Sequence, residues 1–318
     1  MTAFRQLPRK GETFLDHLGH FVPDMDAAHR DLARLGFLQT PYTLHRTTPS
    51  EGQAPTPSGT ANHCCMLREG YLEVLCVSDG STPTGARTQR QLDRYTGVHI
   101  VALSTDDALT RSARLAEQGF EPQPPVNLRR PVPTEDGGEG MAAFTVCRTP
   151  ESTMPEGRVQ YLTHLTEDLV WQPRWLDHDN GLIGLRDVVI VPTDRAEAIA
   201  RYARFLDSDP VELRPGVSRI PLARGGVVLA TVEAVTEMVP GLEIPTAPHI
   251  GLYGLLSEDL AATRVFLEGR GFAPRHAGDG LLALTLPSSL GGTWLLAERE
   301  TAFPWVVASQ VTASPGAA

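Results

Sequence analysis

The sequence contains four divergent copies of one pattern, and this repetition constrains the fold more than any other feature. Each copy is a short apolar stretch, a polar turn, and a segment whose apolar residues recur at helical spacing. Three copies end in Gly-Phe, as expected where a helix ends at a glycine. Short apolar stretches separated by turns follow each copy and are typical of strands. The copies span 15–37, 97–120, 185–206 and 249–272.

Each copy therefore predicts one βαβββ module, in which a strand, a helix and several further strands follow one another. A Ser or Asp side chain at a helix start accepts hydrogen bonds from the free N–H groups of the first turn. Suitable residues stand at the start of each predicted helix: Asp24 or Asp26, Asp106, Asp194 and Ser257.

Four modules predict an α+β protein with two domains. A chain of 318 residues, of which 41% are hydrophobic, is long enough to bury two ordinary cores. The turn-like stretch 180–184 lies between the second and third modules. We therefore expect one domain over 1–180 and a second, with two degenerate modules, over 181–318.

Composition indicates the kind of partner. A net charge of −10 argues against binding of nucleic acid or of an anionic membrane, so a small molecule is the expected ligand. No stretch is long and apolar enough to cross a bilayer, and residues 1–12 lack a signal-peptide core, so a cytoplasmic location is expected. A homodimer is left open. The cysteines follow no disulfide or zinc pattern and are predicted to be reduced core thiols: Cys64, Cys65, Cys76 and Cys147.

Two histidines occupy matching places in the first two modules. His17 lies seven residues before Asp24, and His99 lies seven residues before Asp106. A divalent metal needs several nitrogen or oxygen ligands that converge from separate strands, and a repeated fold supplies them from equivalent positions. The matching spacing therefore predicts that both imidazoles face one metal site.

The closing strands of the same two modules offer further ligands. Glu73 and Gln160 each lie three residues after an equivalent glycine, Gly70 or Gly157. Because side chains alternate along a strand, His164 shares a face with Gln160. Either residue can therefore complete the set.

Four stretches carry a family resemblance: LDHLGHFVPDMDAA, GTANHCCMLREGYLEVL, GVHIVAL and VQYLTHLTEDLVWQPRWLDHDNG. They resemble the glyoxalase-like branch of the vicinal oxygen chelate superfamily, over about the first 180 residues. In that superfamily two βαβββ modules form a curved, barrel-like sheet around a cleft, with metal ligands on the first and last strands of each module. The resemblance implies that His17, Glu73, His99 and either Gln160 or His164 bind Zn, Fe, Mn, Ni or Mg, with Glu73 also acting in catalysis.

The ligand set departs from that of lactoylglutathione lyase. Its last carboxylate, which moves a proton between substrate carbons, is replaced here by Gln160 or His164. Extradiol dioxygenases are a rival, since they have this length and an iron site of two histidines and one glutamate in their second half. His249 and Glu298 match two of those ligands, but the third module offers Arg186 or Asp187 instead of histidine. The second half is therefore interpreted as structural.

Two stretches rich in Pro and Gly, 47–60 and 122–140, are predicted to be loops that either cover the site or are surface insertions. Arg129 and Arg130 in the second are candidates for binding a substrate carboxylate or phosphate. The sequence favours a metal-dependent lyase, isomerase or dioxygenase whose small substrate chelates the ion through adjacent oxygens. The alternative is a non-catalytic binding protein, as in the bleomycin-resistance relatives.

Overall fold

The computed structural model describes residues 4–47 and 54–306, and these form two curved eight-stranded mixed sheets. The first half contains β1 (Thr13–Phe21), α1 (Met25–Arg34), β2 (Thr43–Thr47), β3 (Thr56–Met66), β4 (Tyr71–Val77), α2 (Pro83–Leu92), β5 (Gly97–Thr105), α3 (Ala108–Glu117), β6 (Val126–Pro133), β7 (Glu139–Arg148), β8 (Arg158–His164) and α4 (Glu167–Val170). The second half contains β9 (Leu182–Val191), α5 (Arg195–Leu206), β10 (Val211–Arg214), β11 (Val217–Pro221), β12 (Gly226–Ala230), α6 (Val232–Met238), β13 (His249–Ser257), α7 (Leu260–Gly269), β14 (Arg275–Gly278), β15 (Leu281–Thr285) and β16 (Thr293–Ala297).

The strand order confirms the four βαβββ modules. It is β2-β3-β4-β1-β5-β8-β7-β6 in the first sheet and β10-β11-β12-β9-β13-β16-β15-β14 in the second. In each module the last strand lies parallel to the first, and the first strands of paired modules meet antiparallel at the centre. The first and last strands therefore place their side chains side by side in the middle of each curved sheet.

Four aspartates cap the module helices. Asp24, Asp107, Asp194 and Asp259 accept hydrogen bonds from first-turn N–H groups of α1, α3, α5 and α7. The predictions for Asp24 and Asp194 are confirmed, whereas those for Asp106 and Ser257 are wrong. Each true cap lies one or two residues later, at the point where the backbone leaves the strand.

The corrected cap changes which residues are equivalent. His17 lies seven residues before its helix cap Asp24, and the residue seven before Asp107 is Ile100. The counterpart of His17 is therefore Ile100 and not His99. The pairing of β1 with β5 also shifts register at His99, since Gly19 pairs with Ile100 and the next residue of β1 pairs with Val98. His99 is the extra residue of a β-bulge, which redirects its side chain.

The two sheets share one large core. Its buried residues come from both halves, and contacts between the halves include the edge-on rings of Phe37 and Trp294, whose centroids are 5.7 Å apart. His20 is also buried, and its Nε2 lies 2.8 Å from the Tyr253 hydroxyl in the other half. A separate apolar cluster lines the concave face of each sheet. The four cysteines are buried and unpaired.

One predicted loop is a hairpin. Residues 126–133 and 139–148 pair antiparallel as β6 and β7, so the prediction that 122–140 is a loop is wrong for most of this stretch. Its prolines fit because β6 is an edge strand. In the other stretch, 56–60 belongs to β3, and residues 48–53 lie outside the described residues. Within the described ranges no helix has the length and apolar character required to span a bilayer.

Candidate active site

The concave face of the first sheet holds the candidate site. Across four neighbouring strands, Tyr71, His17, Ala102 and Gln160 stand in register. Because Ala102 is small, space remains between His17 and Gln160. The next row on the same face contains Glu73, Gly19, Ile100 and Arg158.

Glu73 lies between two imidazoles. Its Oε2 is 3.7 Å from Nε2 of His17, its Oε1 is 3.8 Å from Nε2 of His45, and Asn62 Nδ2 donates to Oε1 at 2.6 Å. Burial alone would raise the pKa of Glu73, but the neighbouring histidines, Asn62 and Arg130 outweigh it and lower the pKa. The carboxylate is therefore ionised at neutral pH.

Asp16 fixes the orientation of His17. The buried Asp16 carboxylate accepts a hydrogen bond from Nδ1 of His17 at 2.7 Å and from Nε2 of His164 at 2.9 Å. Burial would raise the pKa of Asp16, but His164 and His17 outweigh it and hold the pKa well below its usual range. Because Asp16 engages Nδ1 of His17, the Nε2 atom is the one that faces Glu73 and is available to bind a metal. The ring also stacks on Tyr71 at 4.3 Å.

His45 is a site residue that sequence reasoning missed. It lies on β2, and its Nδ1 is 3.0 Å from Oγ1 of Thr60, so Nε2 faces Glu73. Burial lowers the pKa of His45. The strands that correspond to β2 in the other modules contain no histidine at this position, so the repeat that indicated His17 gives no signal for His45. The local hint is that Thr43–Thr47 has the alternating pattern of a strand.

His99 is not brought together with His17 and Glu73. It lies three residues along β5 from Ala102, the partner of His17, which is about 10 Å of strand. Its Nε2 donates to the Tyr95 carbonyl at 2.8 Å, and its ring stacks on Tyr95. Burial lowers the pKa of His99 to about 3, so the ring is neutral.

The two alternatives for the fourth ligand lie differently. Gln160 stands in the row of His17, and its Oε1 accepts a hydrogen bond from Nε of Arg148 at 3.3 Å. His164 is fully buried at the far end of β8, where its Nε2 is engaged by Asp16 and its ring packs against Trp171. His164 therefore supports His17 through Asp16, and Gln160 is the one that faces the cleft.

The two candidate arginines of the β6–β7 hairpin face opposite ways. Arg129 is exposed, whereas Arg130 is half-buried with its guanidinium carbon 5.6 Å from the centre of the Phe144 ring. Two further arginines extend from the closing strands of the second module, Arg148 at the end of β7 and Arg158 at the start of β8. Sequence reasoning missed both.

Comparison with known proteins identifies the family. The family model described as "Glyoxalase-like domain" matches residues 15–206, which is most of the chain. The chain belongs to this glyoxalase-like family. The match includes His17, His45, Glu73 and all of the first sheet except the first two residues of β1, and it confirms the resemblance to vicinal oxygen chelate proteins. No curated protein matches the sequence.

Solved structures similar to this glyoxalase-like protein agree in fold. A hypothetical protein from Staphylococcus aureus has 12% identity and a TM-score of 0.61, over 89% of this chain and 98% of the other. A mutant of 4-hydroxymandelate synthase from Streptomyces coelicolor has 14% identity and a TM-score of 0.54, over 92% and 95%. The Mn(II)-bound glyoxalase from Novosphingobium aromaticivorans has 11% identity and a TM-score of 0.50, over 92% and 84%.

The second sheet of the glyoxalase-like protein contains no counterpart of the site. Asp187, which replaces His17 by position, is buried in an ion pair with Arg219 at 2.8 Å and accepts a hydrogen bond from Trp305. His249 begins β13, whereas Glu298 follows β16 beside the opposite end of β13, about 26 Å of strand away. The two cannot bind one ion.

The donor chemistry of the first cleft fits a divalent ion. In residues 4–47 and 54–306 no three His, Cys, Asp or Glu side chains already stand at the spacing of bound ligands. However, Nε2 of His17 and Nε2 of His45 flank one ionised carboxylate, and the Nδ1 atom of each is engaged elsewhere. Histidine ligands of metal ions typically donate a hydrogen bond from their other ring nitrogen to a carboxylate, as His17 does to Asp16. His17, His45 and Glu73 are the residues that would hold the ion.

Proposed function

We propose that this protein is a metal-dependent enzyme of the vicinal oxygen chelate type. It acts on a small oxygenated substrate, which binds through adjacent oxygens to a divalent ion in the cleft of the first sheet. The observation that supports this most is the position of Glu73, whose two oxygens each face a histidine Nε2. The family match over residues 15–206 supports the same reaction class.

A bound divalent ion supplies Lewis acidity, which stabilises an enolate or a similar oxyanion. The chain's own residues then have separate tasks. Asp16 keeps the Nε2 lone pair of His17 directed into the cleft. Asn62 holds Oε1 of Glu73, so Oε2 is the oxygen that takes a proton from the substrate. Trp171 and Tyr71 pack beside His17 and His164 and exclude water from that end.

The amide at position 160 restricts the reaction. The carboxamide of a glutamine neither gains nor loses a proton near neutral pH, so Gln160 cannot deliver to the substrate the proton that Glu73 removes. The site therefore has one carboxylate base rather than two. This favours a one-base lyase, isomerase or dioxygenase reaction over the two-carboxylate chemistry of lactoylglutathione lyase.

The proposal is tested by metal content. Purified protein is loaded separately with Zn²⁺, Mn²⁺, Ni²⁺, Mg²⁺ and, without oxygen, Fe²⁺, then dialysed and analysed by mass spectrometry. We expect about one ion per chain in the wild type and a large loss in His17→Ala, His45→Ala and Glu73→Gln. His99→Ala is the matched control and should retain the ion. Unchanged metal content in His17→Ala and Glu73→Gln would overturn the proposal.

A second candidate is a non-catalytic binding protein of the bleomycin-resistance type. Two observations favour it. In the described parts of the chain no three potential ligands stand at metal-binding spacing, and Gln160 stands in place of a carboxylate. Thermal stabilisation by small oxygenated compounds that is unaffected by chelator, in protein that retains no metal, would favour this candidate.

A further inference from the structure

Three arginines reach the concave face of the first sheet without a carboxylate partner. Arg130, Arg148 and Arg158 come from β6, β7 and β8. Within residues 4–47 and 54–306 none of the three is in an ion pair, whereas the buried Arg186, Arg201 and Arg219 are. Arg148 donates only to the neutral Gln160, and the buried Nε of Arg130 has no hydrogen-bond partner there.

The strand register places two of these charges close together. Arg148 pairs with Gln160, and Arg158 lies two residues before Gln160 on the same face. Residues in this diagonal relation have Cα atoms about 7–8 Å apart, within reach of two long side chains. Desolvation, with repulsion from Arg87 and Arg148, lowers the pKa of Arg158 to about 10. Both groups are still cationic at neutral pH.

Such an arrangement is unfavourable without an anion. Like charges on neighbouring strands destabilise a sheet, and partial burial of each guanidinium adds a desolvation cost. Glu73 and Glu151 offset part of the cost for Arg158 at longer range, but no carboxylate among the described residues forms an ion pair with it. Arg148 and Arg158 are each half-buried, so part of each side chain is exposed to solvent. A carboxylate or phosphate can accept bidentate hydrogen bonds from such groups.

An apolar floor connects the arginines to Glu73. The row that contains Glu73 and Arg158 has Gly19 and Ile100 between them. Ile100 lies over Gly19, because a Cβ on that glycine would be 2.8 Å from Cβ of Ile100. Three strand spacings, about 14 Å, separate the backbones of Glu73 and Arg158. Both side chains extend into the cleft, so the distance between their charged groups is shorter and matches the length of a small molecule.

We propose that the substrate is an anionic small molecule whose carboxylate or phosphate group binds to Arg148 and Arg158, with Arg130 closing over it. Its other end, with the chelating oxygens, then lies at Glu73 and His17. The position of that reacting end rests on the proposed function, whereas the anion site does not depend on it.

The test is calorimetric titration of metal-free protein with two probes, inorganic phosphate and malonate. We expect the Kd of the bound probe to rise about tenfold or more in Arg148→Gln and in Arg158→Gln, as for loss of a charge-assisted hydrogen bond. Arg129→Gln is the matched control, because it removes the same charge from the exposed face of the same hairpin. It should change the Kd by less than about twofold.

The outcomes separate the two proposals. The absence of binding by both probes, or an equal loss in Arg129→Gln, would overturn the anion site. Metal-free Glu73→Gln should bind the probe more tightly than metal-free wild type, since it removes a nearby negative charge. Retained anion binding in a protein that binds no metal would overturn the metalloenzyme alone. Preference for malonate or for phosphate identifies which anionic group the substrate bears.

Discussion

Replacing Asp16 by Asn tests how the site orients its central imidazole. The Asp16 carboxylate accepts from Nδ1 of His17 and from Nε2 of His164, and it is fully buried. Asparagine has the same shape but only one acceptor oxygen, and its amide nitrogen must donate. One of the two rings therefore has to present a lone pair to residue 16. If His17 does so, its Nε2 carries the proton and no longer binds a metal.

The size of the effect follows from this change of tautomer. Loss of an outer carboxylate typically weakens metal binding about 10- to 100-fold, which corresponds to about 1.4–2.7 kcal/mol. We expect this loss in Asp16→Asn when Mn²⁺ or Zn²⁺ binding is measured by titration. Long-range nitrogen–proton NMR of His17 gives an independent reading, since it distinguishes an Nδ1–H ring from an Nε2–H ring without any metal.

Asp187→Asn is the control. It changes a buried carboxylate of the second sheet, which stands where the first sheet has His17 and pairs with Arg219 away from the candidate site. It should lower stability and leave metal affinity intact. The reasoning would be refuted by wild-type affinity and an unchanged His17 tautomer in Asp16→Asn, or by equal loss of metal in both variants.

Two further predictions concern stability. Gly19→Ala places a Cβ 2.8 Å from Cβ of Ile100 and should lower the free energy of unfolding in urea by roughly 1–3 kcal/mol. Gly269→Ala, whose added Cβ meets no atom within 4 Å, should not, and equal losses would contradict the account. Burial lowers the pKa of His20 to about 4, below its unfolded value near 6.5, so its stabilisation is complete above pH 6.5 and is lost as the pH falls to 4. Between pH 6.5 and pH 4 the free energy of unfolding should fall by about 3 kcal/mol less in His20→Gln than in the wild type. His276→Gln, which replaces an exposed histidine, should behave as wild type. Identical pH profiles of stability for all three proteins would exclude the effect.

The fold could be predicted from the sequence because its signals are local and repeated four times. Apolar spacing distinguishes strand from helix, and an aspartate near each helix start marks where the chain leaves the strand. The repeat then implies the same unit in each copy, even where sequence identity between copies is low. The side chains of His17 and Glu73 were also predictable, since they lie on neighbouring strands of the same module.

Which residues form the site depends on the tertiary structure. His99 matched His17 in spacing, but a cap one residue later and a β-bulge at His99 turn its ring toward Tyr95. Because side chains alternate along a strand, a displacement of one residue moves a side chain to the other face. Spacing along the chain cannot reveal a bulge that forms only when two strands pair.

The order of the elements and their grouping into modules can be read from the sequence alone, since both depend on periodicity within short windows. Only the folded sheet decided that His45 faces Glu73 and that Arg148 and Arg158 share one face. Those residues lie on separate strands and match no motif, so nothing local links them. Pairing register and sheet curvature determine which side chains meet, and both depend on the packing of the whole molecule.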